Sequence, residues 1–351
     1  MAKTITLEEL KTGDIILYSP PPGKEGRESR IICFFTKSPV SHTGMIAPNH
    51  GYSIQEIPDG ASCITLPEPG IRKLYIRRLE GEPDTSVVDT IAMKYVEEKL
   101  PYPMSNLAFL GLYMLASDFI PDSLGGSIFK NALKVASYEL MKLINKHTHP
   151  GTDEPPMVCS QFAASCYDEA ALTYGPQYKI HYNEDVSTFA NLLRKIIDQL
   201  TEEEEGKTYS VALEENHPLL GGELEEDEAD MHLQNLADHL DQKQIEAQQN
   251  EGQDKVLLAA KPEKVSEELI ASFYQYGKGI LKLFGNKTEY PDKKEATPEE
   301  IKSVLEELLR IQETFVTPGD LLSKTTNLMD MGQLVYTASE IAPYWNKNEE
   351  A

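Results

Sequence analysis

The chain is poor in positive charge. Its 351 residues include 33 lysines and arginines against 57 aspartates and glutamates, a formal net charge of −24. Such a chain repels phosphate backbones and anionic bilayers, which disfavours nucleic-acid binding and electrostatic adhesion to membranes. Cysteine is scarce as well. Cys33, Cys63, Cys159 and Cys166 have neither the paired spacing of a zinc site nor the density of a disulfide framework. His-Glu-x-x-His is missing, and neither His147 and His149 nor His217, His232 and His239 follow a ligand pattern, so no metal and no cofactor are expected. Long apolar runs are also lacking. Met1–Leu10 has no uninterrupted apolar core of the secretory kind. The greasiest window, Leu107–Ala116, falls short of the roughly 20 residues of a spanning helix. The expectation is a chain without an integral membrane segment, kept in a reducing cytoplasm.

What is present is a set of three separated reactive groups. His42 lies in Ser41-His42-Thr43-Gly44-Met45-Ile46 and Glu56 in Tyr52-Ser53-Ile54-Gln55-Glu56-Ile57. Both runs favour strands, and Ala47-Pro48-Asn49-His50-Gly51 between them is rich in turn formers, so the pair reads as a hairpin. With all five residues in the loop, Ile46 faces Tyr52 and His42 faces Glu56 on one side of the sheet. A four-residue loop puts Gln55 opposite His42 instead, because one residue of slip turns every side chain over. Glutamate is the expected partner, since a carboxylate both fixes the imidazole tautomer and stabilises the imidazolium, whereas an amide only orients the ring.

Cys159 follows Pro155-Pro156-Met157-Val158 and opens the Ala-rich Ser160–Ala170, which reads as the start of a helix. There the free amides and the macrodipole favour a thiolate and could donate to a developing oxyanion. A lone cysteine is most often a small buried hydrophobe. In company with His42 and Glu56 it reads as a nucleophile beside a base.

Leu10-Lys11-Thr12-Gly13-Asp14-Ile15-Ile16-Leu17, Ser41-His42-Thr43-Gly44, Gln55-Glu56 and Val158-Cys159-Ser160-Gln161 together resemble the circularly permuted NlpC/P60 cysteine hydrolases, the YiiX/YebB-like group. The resemblance implies an α+β, permuted papain-like fold in which an antiparallel or mixed sheet packs on the Cys helix. It also implies Cys159 as nucleophile, His42 as base and Glu56 as third member. Leu100-Pro101-Tyr102 resembles the family's tyrosine before the nucleophile, which implies Tyr102 near the site; Tyr102 and Gln161 are the expected substrate-binding residues. Phe315-Val316-Thr317-Pro318-Gly319-Asp320-Leu321-Leu322 resembles a closing segment of the same core. The expected activity is cleavage of an amide, peptide or isopeptide-like, or of an ester through a thioester. The alternatives are a lecithin retinol acyltransferase-like lipid acyltransferase or thioesterase, and a non-catalytic binding module. The acyltransferases carry Asn-Cys-Glu-His at the nucleophile, where this chain has Val158-Cys159-Ser160-Gln161.

Charge divides the chain further. From Thr201 to about Lys255 acidic residues outnumber basic ones roughly five to one, and such blocks are usually solvated. Met231, Leu233, Leu236, Leu240 and Ile245 recur at near-helical spacing within it, and a second helix is expected from Val265 to Phe284 before Gly285-Asn286. Thr297-Pro298-Glu299-Glu300 is a capping box opening a third helix, to about Thr314. The expected division is a catalytic core over 1–194, an acidic, mostly helical insertion over 195–312 and a return to the core over 313–351. Substrates expected are peptide, amide or lipid-like; a protein partner is expected, if anywhere, on the acidic insertion.

Overall fold

The computed structural model describes residues 3–23, 26–57, 60–98, 135, 159–183, 188–203, 206–211, 226–249, 265, 267–283, 294–310 and 316–341. Tyr102, the apolar window Leu107–Ala116 and His147 and His149 lie outside the described residues.

The strand-favouring runs assemble into one seven-stranded sheet. Its strands are β1 (Thr4–Ile5), β2 (Ile15–Tyr18), β3 (His42–Ile46), β4 (Tyr52–Ile57), β5 (Gly60–Thr65), β6 (Leu74–Leu79) and β9 (Leu328–Leu334), in the order β1-β9-β6-β2-β3-β4-β5. Only β1 and β9 pair in parallel; the other neighbours are antiparallel, so the chain is α+β with a mixed sheet. All four residues of Ile15-Ile16-Leu17-Tyr18 are buried, as a central strand covered on both faces requires.

One face carries Ile15, Leu17, Met45 and Ile54. It is covered by α2 (Ser86–Glu98) and α3 (Cys159–Tyr174), whose Val88, Ile91, Ala92, Phe162, Ala163 and Cys166 join the same cluster. Small residues along α3 let its backbone come close to β3 and β4, where a bulkier stripe would hold it off. The opposite face carries Ile16, Tyr18, Ile46, Leu74 and Ile76 under Leu7 and Leu10.

The Gly13-Asp14 pair builds the entry to β2. Gly13 has φ +83°, a left-handed conformation that favours glycine, and a Cβ there would lie 2.8 Å from that of Thr85. Asp14 is buried, receives two bonds from Arg78 (Nε at 2.7 Å, Nη2 at 2.6 Å) and accepts the Lys11 amide at 2.9 Å. Tyr167 of α3 donates to the Gly13 carbonyl at 2.7 Å, so this turn also fixes the helix against the sheet.

Three of the remaining helices pack together. α4 (Thr188–Thr201) and α6 (Glu267–Leu283) both pack on α7 (Pro298–Arg310), next to the short pair β7 (Tyr209–Ser210) and β8 (Glu295–Ala296). Gly277 of α6 lets Leu308 of α7 approach so closely that an added Cβ would meet its Cδ1 at 2.7 Å. α7 begins with the expected capping box: Glu300 accepts from the Thr297 amide at 3.0 Å and donates its own amide to Thr297 Oγ1 at 3.3 Å. α5 (Glu226–Gln249) buries Leu233, Leu236 and Leu240 and packs on α1 (Arg27–Thr36), while Met231 of the expected stripe is exposed. The expected boundary between 194 and 195 falls inside α4, a continuous helix over Thr188–Thr201 that packs on α7. Beyond α8 (Pro318–Ser323), β9 enters the large sheet between β1 and β6.

Candidate active site

The hairpin that carries His42 has a loop of four residues. The Ala47 amide donates to Tyr52 at 3.1 Å, Tyr52 closes back on Asn49 at 2.9 Å, and the ladder runs Ile46↔Ser53 and Met45↔Ile54. Continued by alternation, this register sets Gly44 opposite Gln55 and Thr43 opposite Glu56. It is neither of the two expected registers, because Ala47 leaves the loop and joins the strand. Gln55 and not Glu56 therefore shares the face of His42.

Gln55 reaches His42 diagonally. His42 Nε2 lies 2.7 Å from Gln55 Oε1, and the Gln55 amide nitrogen donates to Ser53 Oγ at 2.8 Å and Tyr18 Oη at 3.1 Å. Gly44 makes this crossing feasible: a Cβ there would stand 3.3 Å from Gln55 Cγ and 3.0 Å from the Ile54 carbonyl oxygen. With Oε1 as acceptor, Nε2 carries the imidazole proton and Nδ1 keeps its lone pair. Tyr18 closes the group, its ring centroid 5.4 Å from that of His42 and its hydroxyl 2.7 Å from Ser53 Oγ. Burial lowers the His42 pKa to about 4, against the raising effect of Gln55 and helped by the charge of Arg72. The imidazole is neutral at neutral pH.

Cys159 stands in the first turn of α3 and is 2% exposed. The amides of Thr43, Ser160 and Cys159 itself are directed at its sulfur and favour the thiolate, as expected of a helix start. Burial outweighs them, raising the thiol pKa to about 11, opposite to the shift expected from the macrodipole alone. The contact with Thr43 brings the sulfur to the residue next to His42. Among the described residues no hydrogen bond joins sulfur and imidazole. Ser160 donates to the Val316 carbonyl at 2.5 Å, tying the helix start to the returning segment.

The expectation that Glu56 orients His42 is corrected by this geometry. Glu56 is 4% exposed and occupies the sheet face under α3, opposite Ala61 on β5, where burial raises its carboxyl to about 8. Its charge is felt by Cys159 and Cys166 rather than by the imidazole. Gln161 is buried in α3 with its amide oxygen unpartnered among the described residues. Tyr18, Ser53 and Arg72 also belong to this site without being predicted from the sequence. Ser53 sits on a strand the sequence predicts and Tyr18 on one it does not, and their meeting follows from a register the sequence does not set. Arg72 bears no local signal.

Among the described residues no group of histidine, cysteine and carboxylate side chains could hold a metal ion, and no helix is long and apolar enough to cross a membrane. All four cysteines are free. No protein-family model, curated protein or solved structure matches the chain.

Proposed function

We propose that this protein is a thiol hydrolase of permuted papain-like architecture, cleaving an amide or ester through a Cys159 thioester with a Cys-His-Gln set. The observation that carries the reading is the His42–Gln55 bond. It fixes the proton on Nε2 and leaves the Nδ1 lone pair of His42 as a base, one residue along β3 from Thr43, whose amide is directed at the Cys159 sulfur. The chain order, His strand before Cys helix, and the family resemblance support the same reading.

The resting pair is a thiol and a neutral imidazole, so proton removal accompanies attack rather than preceding it. Cys159 Sγ adds to the carbonyl carbon as His42 Nδ1 takes the thiol proton. The carbonyl oxygen becomes an oxyanion, held by the Cys159 amide. The tetrahedral intermediate collapses with expulsion of the amine or alcohol, to which His42 returns the proton. Water then adds to the thioester with His42 again as base, releasing the acid and the thiol. Gln55 orients the ring throughout, and its uncharged amide gives the imidazolium less help than a carboxylate would. A reduced compartment, which keeps such a thiol free, is the setting we propose.

Turnover of p-nitrophenyl acetate beyond one equivalent tests the set. Cys159→Ala should abolish it, and His42→Ala should lower it by about 10²–10⁴-fold. Gln55→Ala should lower it by at least about tenfold, through loss of the tautomer. Glu56→Gln should stay within a few-fold of wild type. Unchanged turnover in Cys159→Ala or His42→Ala would overturn the reading.

A further inference from the structure

Arg72 stands just before β6, at the end of the sheet where β2 and β3 present Tyr18 and His42 side by side. Its guanidinium lies over the Tyr18 ring, 5.0 Å from the centroid, and its Nε donates to the Ser19 carbonyl at 2.6 Å. Those two contacts hold the group in place. The same ring lies 5.4 Å from that of His42, so one tyrosine is in contact with both a fixed cation and the base.

Among the described residues the cation is uncompensated. Arg78 is bound by Asp14, and Arg77 pairs with Asp330, as arginines in so acidic a chain readily do. Among the described residues no carboxylate pairs with Arg72, and its enclosed Nη2 has no hydrogen-bond partner. A shielded guanidinium nitrogen without an acceptor is costly unless a ligand supplies one. Through the Tyr18 ring the guanidinium is one side chain away from the His42 imidazole, which places it at the same end of the sheet as the base.

We propose that Arg72 is a substrate-binding residue that takes an anionic oxygen group, so that the acyl donor carries a negative charge close to the scissile carbonyl. The overall charge of −24 does not forbid this. Exposed charges farther away than about 8–10 Å are largely screened at physiological salt, whereas a guanidinium meeting an anion directly is not. Arginine suits the task because its planar fork can present two donors to one carboxylate or phosphate. The inference rests on the thiol reading above and specifies its substrate class.

Alkylation of Cys159 in the full chain by iodoacetate and by iodoacetamide tests it, with peptide mapping to assign the site. The reagents perform the same displacement and differ in charge. The iodoacetate-to-iodoacetamide rate ratio, referred to that of N-acetylcysteine, should exceed it by about fivefold or more, since charge-assisted bonds are strong in shielded sites. High salt should shrink the ratio. Arg72→Gln should bring it down to the reference, and Arg72→Lys should keep part of it. Because a change in thiol acidity alters both rates together, the ratio isolates the anion contact. A wild-type ratio equal to the reference, or one untouched in Arg72→Gln, would overturn the role of Arg72 while leaving the thiol reading intact. Resistance of Cys159 to both reagents would overturn the two together.

Discussion

Gln55 and Glu56 are neighbours in the chain with opposite surroundings. The amide lies in a network of three side chains that use its donors and its acceptor, whereas the carboxyl is enclosed under α3 with its pKa raised to about 8. The sign of the consequence follows from proton uptake. Between pH 4.5, the ordinary glutamate value, and about 8, folded protein holds a proton that unfolded chain has released. This group's stability is therefore greatest below pH 4.5 and is lost as pH rises to about 8. Glu56→Gln, which resembles the protonated acid, should match wild type at low pH and exceed it at pH 8 by on the order of a few kcal/mol. Urea denaturation of both proteins at the two ends of that range measures the gap; a constant gap would exclude a buried, neutral Glu56. At this scale the sequence revealed reactive residue types well. It could not reveal which of two adjacent polar residues turns toward the histidine, since that depends on a single loop residue.

Elements were legible where their signals are local. The capping box at Thr297 and Glu300, the strand Tyr52–Ile57 and the helix opened by Cys159 each follow from a few consecutive residues. The hairpin register was not legible, because Ala47 has no side-chain chemistry that assigns it to strand or loop; its amide bond to Tyr52 decides. The Asp14–Arg78 pair is another non-local feature, joining the entry of β2 to β6. Its burial means that removing one partner strands the other, so Asp14→Ala should destabilise the fold by about 3–5 kcal/mol. An exposed pair would contribute under 1 kcal/mol, and a loss that small in chemical denaturation would show that solvent reaches the guanidinium.

At the scale of the whole molecule, the sheet is completed by residues far apart in sequence. β9 fills the place between β6 and β1, and Gly332 on it has φ +100° with room for no Cβ, since one would lie 2.3 Å from the Lys3 carbonyl oxygen. Gly332→Val should therefore cost about 2 kcal/mol or more and free β1, read by denaturant unfolding together with hydrogen exchange at the Gln333 and Val335 amides. Protection of those amides equal to wild type would contradict this. The return of residues near 316–322 was legible as a short motif, but the strand after it was not. Leu328–Leu334 contains Asp330, Gly332 and Gln333 and alternates poorly, so its pairing on two sides is what makes it a strand.

The bond from Ser160 to the Val316 carbonyl spans 156 residues. During translation at roughly 5–20 residues per second, the start of the nucleophile helix waits about eight to thirty seconds for that acceptor. β6 waits still longer for β9, with its ladder groups open on one side. A ribosome-bound chain thus holds the histidine hairpin and the cysteine helix before the parts that brace them have emerged. The Ser160 hydroxyl and the open edge of β6 thus gain their partners only after the whole intervening chain has been made.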